Sequence, residues 1–525
     1  MPRYLTTAFL MLIVAAPSAI FAWRALDMPE FGYLHDDGIF YVSAKSLASG
    51  NGYRIESLPE DAAQSKFPPL YPAFLSLVWR LNPKFPSNLS LATVASWLAL
   101  LACLWLARLL YKGSGFTPTK LWISMALLGL NPYMILFGTR LFSEIPFTAL
   151  VLATFLVARR PGNRAILYAG SFAAAAFLTR TAGIAVVASV LTLLLLRRDY
   201  LRAKLFALVT LPVILAWGFW SGTHHATGDL TLTYYTDYLG FQFANVGWDN
   251  ILVVLWKNAD QILYSIGSLI IPKVVENTLV KMLTDVVAVA MIMGVVRMAR
   301  KGTLVDYAVF SIFSTAILLV WHYPATERFV LPMFPLLAAG LVTEAEHLWA
   351  MLRLAMHNQK RDQRIAGYLF GAVVAAVFLA ALALQVYVSF FYLKDSADSK
   401  RIALAARRAD YQWIAANLPS NAAVLSYDDP LLYLYTGHRG NYLPMMPRWW
   451  YAEDKHSTVD AYRNLEEYCR ARGLAYIYFS QEDLSREAGE EERLAVEKIL
   501  QTNAALTPIY SSTSGTVYRV LPWPR

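Results

Sequence analysis

Residues 5–41 read LTTAFLMLIVAAPSAIFAWRALDMPEFGYLHDDGIFY. The first part, to about Leu26, is an apolar run of membrane-spanning length. The second ends in His35-Asp36-Asp37-Gly38-Ile39-Phe40-Tyr41, two adjacent carboxylates just beyond that run. Carboxylates at a membrane surface are costly to desolvate and usually serve chemistry. The loop that follows is aromatic and rich in turn residues: Gly50-Asn51-Gly52-Tyr53, then Lys66-Phe67-Pro68-Pro69-Leu70-Tyr71-Pro72. The pattern is that of a membrane protein with an ordered, acidic first loop.

The rest of the chain agrees. Of 525 residues, 57% are hydrophobic and only 16% charged, too few for a soluble protein of this size. The net charge of +9 would suit nucleic-acid binding. The basic residues, however, cluster at the ends of apolar runs, where topology requires them, so nucleic acid is excluded as a partner. Cys103 lies in an apolar run and Cys469 in a polar tail, with no CxxC or Cys/His metal spacing. The first apolar run is long and lacks a clean cleavage site before Trp23-Arg24, so it reads as a retained signal-anchor helix.

Hydropathy predicts about eleven spans, at 5–26, 88–110, 119–138, 142–158, 164–179, 182–196, 203–221, 282–297, 303–322, 328–349 and 366–392. Basic clusters mark the turns: Arg108, Lys112 and Lys120; Arg159, Arg160 and Arg164; Arg197, Arg198, Arg202 and Lys204; Arg297, Arg300 and Lys301; Arg353, Lys360, Arg361 and Arg364. All five fall on one side if the N-terminus is cytoplasmic. The 27–87 loop, the 222–281 segment, the 322–327 loop and the tail then lie on the periplasmic or extracellular side. The predicted fold class is mainly α: a polytopic membrane domain over 1–393 and a small α/β extracytoplasmic domain over 394–525.

Within the first loop, Phe40 to Leu47 reads as an amphipathic helix and Tyr71 to Leu81 as a second, both suited to the membrane interface. Tyr234, Tyr235, Tyr238, Trp248 and Trp256 in the 222–281 segment suggest headgroup contacts. In the tail, 409–418, 430–436 and 484–503 read as helices, and 422–427, 475–479 and 516–520 as strands. No glycine-rich phosphate loop follows any strand, so no nucleotide site is expected.

Three groups of residues can carry chemistry. Asp36 or Asp37 can take a proton from an acceptor hydroxyl as it attacks a sugar carbon; equally, either can cap the helix starting near Gly38. Arg140, Arg180 and Arg328 stand at outer span ends, where a guanidinium fork can hold a lipid phosphate, or serve as an interface anchor. Arg140 and Glu144 are four apart, on one face of a helix if it is continuous there. Third, His224, His225 and His322 invite a metal reading, although adjacent loop histidines are more often solvated. Lys273 and Lys281 lie on the same side without a position the sequence can fix.

These motifs resemble the GT-C glycosyltransferases, in the branch containing protein O-mannosyltransferases and the lipid A aminoarabinose transferase. The residues that carry it are Asp36-Asp37-Gly38-Ile39-Phe40-Tyr41, Ala48-Ser49-Gly50-Asn51-Gly52-Tyr53, Pro68-Pro69-Leu70-Tyr71-Pro72, Ser143-Glu144-Ile145-Pro146-Phe147, Thr179-Arg180-Thr181-Ala182-Gly183 and Glu327-Arg328-Phe329-Val330-Leu331-Pro332. The resemblance implies an inverting transferase that moves a sugar from a polyprenyl-phosphate donor to a lipid, glycan or protein acceptor in a bacterial inner membrane. It maps the family's first-loop aspartate to Asp36, with Asp37 where many members carry glutamate. It places donor and substrate binding at Arg140, Glu144, Arg180, Glu327, Arg328, Tyr41 and Tyr71. It implies no fixed cofactor; a divalent metal is compatible, since members differ. A transporter or flippase for a lipid-linked precursor is the alternative, but it predicts inverted repeats and mid-membrane charges that the chain lacks. A non-catalytic scaffold would leave Asp36 replaceable.

Overall fold

The structure is a computed structural model that describes residues 3–32, 34–274, 277–321, 323–356, 361–484 and 488–522. It is mainly helical, and six helices among the described residues are long and apolar enough to cross a membrane. They are Tyr4–Arg24, Leu89–Gly113, Tyr200–His224, Thr278–Arg300, Glu327–Leu354 and Ile365–Asn417. The other apolar runs form shorter helices, such as Glu144–Ala158 and Val305–Leu319.

The expected span at 119–138 is two helices, Pro118–Gly129 and Pro132–Phe137. The break has a local cause. Pro132 cannot donate to the helical ladder, and the Asn131 side chain accepts from the Met134 N–H at 2.9 Å, capping a new start. The expected span at 366–392 instead runs on: Arg361–Tyr387 continues through a wide π turn, Val388–Tyr392, into Leu393–Asn417. The 222–281 segment contains the helices Leu230–Thr236, Tyr238–Val246 and Ile251–Ser268.

The chain divides into two compact units. The first comprises Met1–Leu26, Thr93–Leu215 and Leu255–Ser396, and holds most of the apolar helices. Its helices Thr278–Arg300 and Phe334–Met356 touch backbone to backbone, because Gly294 and Gly340 face each other with no room for a Cβ. A buried-side ion pair, Arg297 Nε to Glu344 Oε2 at 2.5 Å, joins the same two helices.

The second unit comprises Asp27–Ala92, Ala216–Val254 and Ala397–Arg525. Its first loop contains the helix Asp36–Ala48, the antiparallel ribbon β1 (Arg54–Ile55) and β2 (Ala62–Ala63), and the helix Leu70–Leu81. Asp36–Ala48 is buried almost all round, with Ile39, Phe40, Tyr41, Val42, Ser43 and Ala44 inside. It is therefore a core helix and not an interfacial one. Trp79 of Leu70–Leu81 locks onto it, its Nε1–H donating to the Tyr41 carbonyl at 3.1 Å.

The tail adds β3 (Val424–Ser426), β4 (Gly440–Asn441), β5 (Tyr476–Ser480), β6 (Leu506–Ser511) and β7 (Gly515–Val520). They form one sheet in the order β4-β3-β5-β7-β6, parallel over β4-β3-β5 and antiparallel over β5-β7-β6. Leu465, Cys469, Ile477, Val496, Leu500 and Tyr518 fill the core beside it. The β6–β7 hairpin explains why the sequence pattern showed only the closing strand. Pro508 and a register shift between Pro508 and Tyr510 interrupt the alternation of β6.

Candidate functional site

The acidic pair begins the helix Asp36–Ala48, with His35 before it at φ 61°. The N-cap position falls on His35, whose side chain makes no cap bond, rather than on either carboxylate. Both sit in the first turn, where the helix dipole favours negative charge, and their fates then diverge. Asp37 is buried; its Oδ2 accepts from the Gly32 N–H and its Oδ1 from the Gly38 N–H, each at 2.9 Å. That carboxylate closes the 32–38 turn. Burial pushes its pKa up to about 6, against the pull of the two N–H donors.

Asp36 is the accessible member of the pair, its side chain 24% exposed. Lys66 Nζ lies 4.0 Å from its Oδ1 and 4.1 Å from the centre of the Tyr234 ring. The Lys66 side chain is almost wholly buried, and its backbone N–H is held by Gln64 Oε1 at 3.0 Å. Gln64 in turn donates to Ser43 of the core helix at 3.1 Å. An aspartate and a lysine thus share a partly open position, a proton acceptor beside a cation. The sequence offered a signal for Lys66 in the lone cation of an aromatic, proline-rich stretch, but no partner for it.

The tyrosines of the motif lie elsewhere. Tyr41 is fully buried, its ring 4.8 Å from Trp79 and 5.5 Å from Phe31. Its hydroxyl has no hydrogen-bond partner among the described residues. Tyr71 is buried too, its ring edge-on to Phe40 at 5.2 Å. The structure thus makes both of them core side chains. Tyr41→Phe should then keep full activity and leave stability unchanged or higher by up to about 1 kcal/mol, since the hydroxyl is desolvated without a bond. A large loss of turnover at unchanged melting temperature would restore the substrate-contact reading. Tyr235, expected at the headgroups, is also buried, whereas Trp248 and Trp256 are exposed.

Asp37 offers a pH test. Its raised pKa means the fold prefers the protonated form. The stability this contributes is fully present below the unfolded value of 3.8 and is lost as pH rises through about 6. Asp37→Asn should remove that slope from a melting-temperature profile between pH 4 and 7. It should also lower stability by about 1–2 kcal/mol, because an amide offers one oxygen to two N–H donors. A variant with the wild-type slope would assign the titration to another group.

In the first unit, Glu144 opens the helix Glu144–Ala158 and is fully buried. Its Oε1 accepts from Arg180 Nη1 at 2.5 Å and from Arg328 Nε. Arg180 Nη1 also donates to Ser143 Oγ at 3.0 Å. Arg328 lies over the Phe142 ring at 4.4 Å. Two arginines thus share one carboxylate oxygen. Arg180 also lines a narrow crevice of about 30 Å³ with Phe147, Phe310, Phe329 and Met333. Arg140 falls in the turn before the helix, so the proposed Arg140–Glu144 helical face does not form. Glu327 pairs with Lys273 Nζ at 2.7 Å, which gives that lysine the position the sequence lacked. Lys281 pairs with Asp260 at 2.8 Å.

The paired histidines end the helix Tyr200–His224 and its following turn. His224 Nδ1 lies 2.9 Å from the Trp220 carbonyl and His225 Nδ1 3.1 Å from that of Ser221. No group of three metal-ligating side chains occurs among the described residues. His322, Lys360 and the side chains of Tyr238, Arg361 and Arg364 lie outside the described residues.

The fold is similar to that of two solved structures. ArnT from Cupriavidus metallidurans bound to undecaprenyl phosphate is similar over 97% of both chains, at 12% identity and a TM-score of 0.56. The oligosaccharyltransferase of Archaeoglobus fulgidus in its apo form is similar over 98% of this chain and 75% of its own, at 13% identity and a TM-score of 0.53. No protein-family model and no curated protein matches the chain.

Proposed function

We propose that the chain is an inverting glycosyltransferase that moves a sugar from a polyprenyl-phosphate donor to an acceptor hydroxyl or phosphate. The observation that carries the reading is the pairing of Asp36 with Lys66 in a fold similar to that of ArnT. Asp36 is the proton acceptor for the attacking hydroxyl, and Lys66 is the cation for the departing phosphate. An in-line displacement at the sugar carbon needs just these two charges and inverts the configuration. ArnT, a structure of the same fold, was solved with undecaprenyl phosphate, which supports a donor of that class. In the first unit, the Glu144-bridged Arg180 and Arg328 form an anion-binding element, suited to a lipid phosphate. The basic span ends support the reading that the acidic loop and the tail face the periplasm of a bacterial inner membrane.

The test is sugar release from a panel of polyprenyl-phosphate monosaccharides by the purified chain in lipid nanodiscs. Release from one donor, with inverted anomeric configuration in the product, supports the reading and names the sugar. Retained configuration would overturn the single-displacement mechanism, and translocation of intact donor without release would favour a flippase.

A further inference from the structure

The acidic turn rests on a piece of the tail. Three consecutive tail residues, Asp429-Pro430-Leu431, begin the helix Asp429–Thr436. Each meets one residue of the 32–38 turn within the second unit. A Cβ added at Gly38 would stand 2.8 Å from Pro430 Cβ, and one at Gly32 would stand 2.9 Å from Leu431 Cδ2. Between them, His35 Nε2 lies 2.8 Å from Asp429 Oδ1. The two glycines are therefore shaped to the tail as well as to the turn; Gly32 in addition has φ 86°, which a side chain would strain.

Asp429 is completely buried and burial raises its pKa, opposed chiefly by the bond to His35. Its Oδ1 also accepts from the Tyr235 hydroxyl at 2.5 Å, and the Tyr235 oxygen accepts from the Tyr442 N–H at 3.0 Å. The other ring nitrogen of His35, Nδ1, is 3.1 Å from the Tyr234 hydroxyl. The Tyr234 ring is the one that Lys66 covers. The His35 ring is thus held on both nitrogens and packed among Tyr234, Tyr235 and Tyr442 at 5.4–5.8 Å. Asp36 and Lys66 lie beside this assembly, and the carboxylates Asp37 and Asp428 are close enough to act on one another and, for Asp428, on Asp429. His35 itself holds φ 61°, a conformation a histidine adopts at a cost that its side-chain bonds offset. The residue that follows is Asp36.

We propose that Asp429 is a positioning residue of the transferase centre: through His35 it fixes the backbone turn that presents Asp36. The tail is then a part of the catalytic apparatus and more than a cover or an acceptor-recruiting domain. The inference rests on the reading of Asp36 as the base. Misplacement of a catalytic group by about 1 Å costs on the order of 100-fold in rate, so losses of about 10- to 100-fold are expected when the contact is removed.

The experiment uses the full chain in nanodiscs with the turned-over polyprenyl-phosphate donor. Asp429→Ala and His35→Ala should each lower kcat by about 10- to 100-fold with donor KM within about twofold of wild type. The double variant should be no worse than the poorer single by more than about threefold, since both act through one bond. Asp429→Asn keeps an oxygen that can accept from both His35 and Tyr235, and should recover to within about fivefold of wild type. A merely structural role predicts a different result: a lower folded fraction, with kcat per folded molecule unchanged. That outcome, or multiplicative losses in the double variant, overturns the proposal. Should Asp36→Asn retain wild-type turnover, the base assignment fails first. Should Asp36→Asn be inert while Asp429→Ala is fully active, the positioning role alone fails.

Discussion

Asp36→Asn should lower sugar transfer by about 10²- to 10⁴-fold, the range a general base contributes. The change is nearly isosteric and the side chain is partly exposed, so the melting temperature should move by no more than a few degrees. The expected signature is loss of kcat with donor binding retained, because Lys66 and its aromatic surroundings remain. The comparison with Asp37→Asn is informative. Asp37 spends both carboxylate oxygens on backbone N–H groups, so its variant should lose stability before it loses chemistry. If the order were reversed, with Asp37→Asn inert and stable and Asp36→Asn active, the assignment of roles within the pair would be wrong.

The second large effect is expected at Glu144. Its carboxylate is fully buried and is shared by Arg180 and Arg328. Glu144→Ala leaves two guanidinium groups without their common counter-ion in an apolar setting. Removing one partner of a buried ion pair costs about 3–5 kcal/mol, so folded yield and melting temperature in detergent should both fall sharply. Glu144→Gln should be milder, because the amide oxygen still accepts from the arginines. An added double substitution, Arg180→Met in Glu144→Ala, should regain part of the loss by removing one uncompensated charge. If Glu144→Ala melts as wild type does, the cluster is solvated and its arginines are held by something other than that carboxylate.

Much of the helical frame was legible in the sequence, for a plain reason. A helix that faces lipid must be apolar along its whole length, and Leu89–Gly113 or Thr278–Arg300 leaves that mark on hydropathy alone. Spans broken by Pro132, or extended through the π turn at Val388–Tyr392, were misjudged in length, because hydropathy does not register hydrogen-bond breaks. The helix Asp36–Ala48 was found but wrongly placed. Ser43 and Ser46 are polar, yet tertiary contacts bury them; Ser43 accepts from Gln64, and Ser46 Oγ donates to the Gly52 carbonyl at 2.9 Å. A pattern of apolar and polar positions cannot show that the polar ones find partners inside.

The site was legible in the same uneven way. The Arg180, Glu144 and Arg328 motifs were each visible, and the structure joins them at one carboxylate. Arg140 entered that reading as an outer span-end cation and through the resemblance; the structure removes the continuous helix that would have set it beside Glu144. The difference between Asp36 and Asp37 is set by the Gly32 and Gly38 N–H groups, which no side-chain pattern encodes. Asp429 stands just before the expected tail helix at 430–436 and carries no signal of its own, since its meaning depends on a residue 394 positions earlier.

That separation has a consequence for biogenesis. At about 5–20 residues per second, a ribosome takes roughly 20–80 s to travel from His35 to Asp429. Through that interval the first loop has been made and the residues that clamp its turn have not. The Gly440 N–H that closes onto the Ser57 carbonyl at 2.8 Å arrives later still. The nascent loop must therefore wait, half-formed and rich in uncovered aromatic rings, while every apolar helix between is threaded into the bilayer. Protease sensitivity of the 27–87 loop in stalled nascent chains, vanishing once synthesis passes β4, would be the trace of that wait.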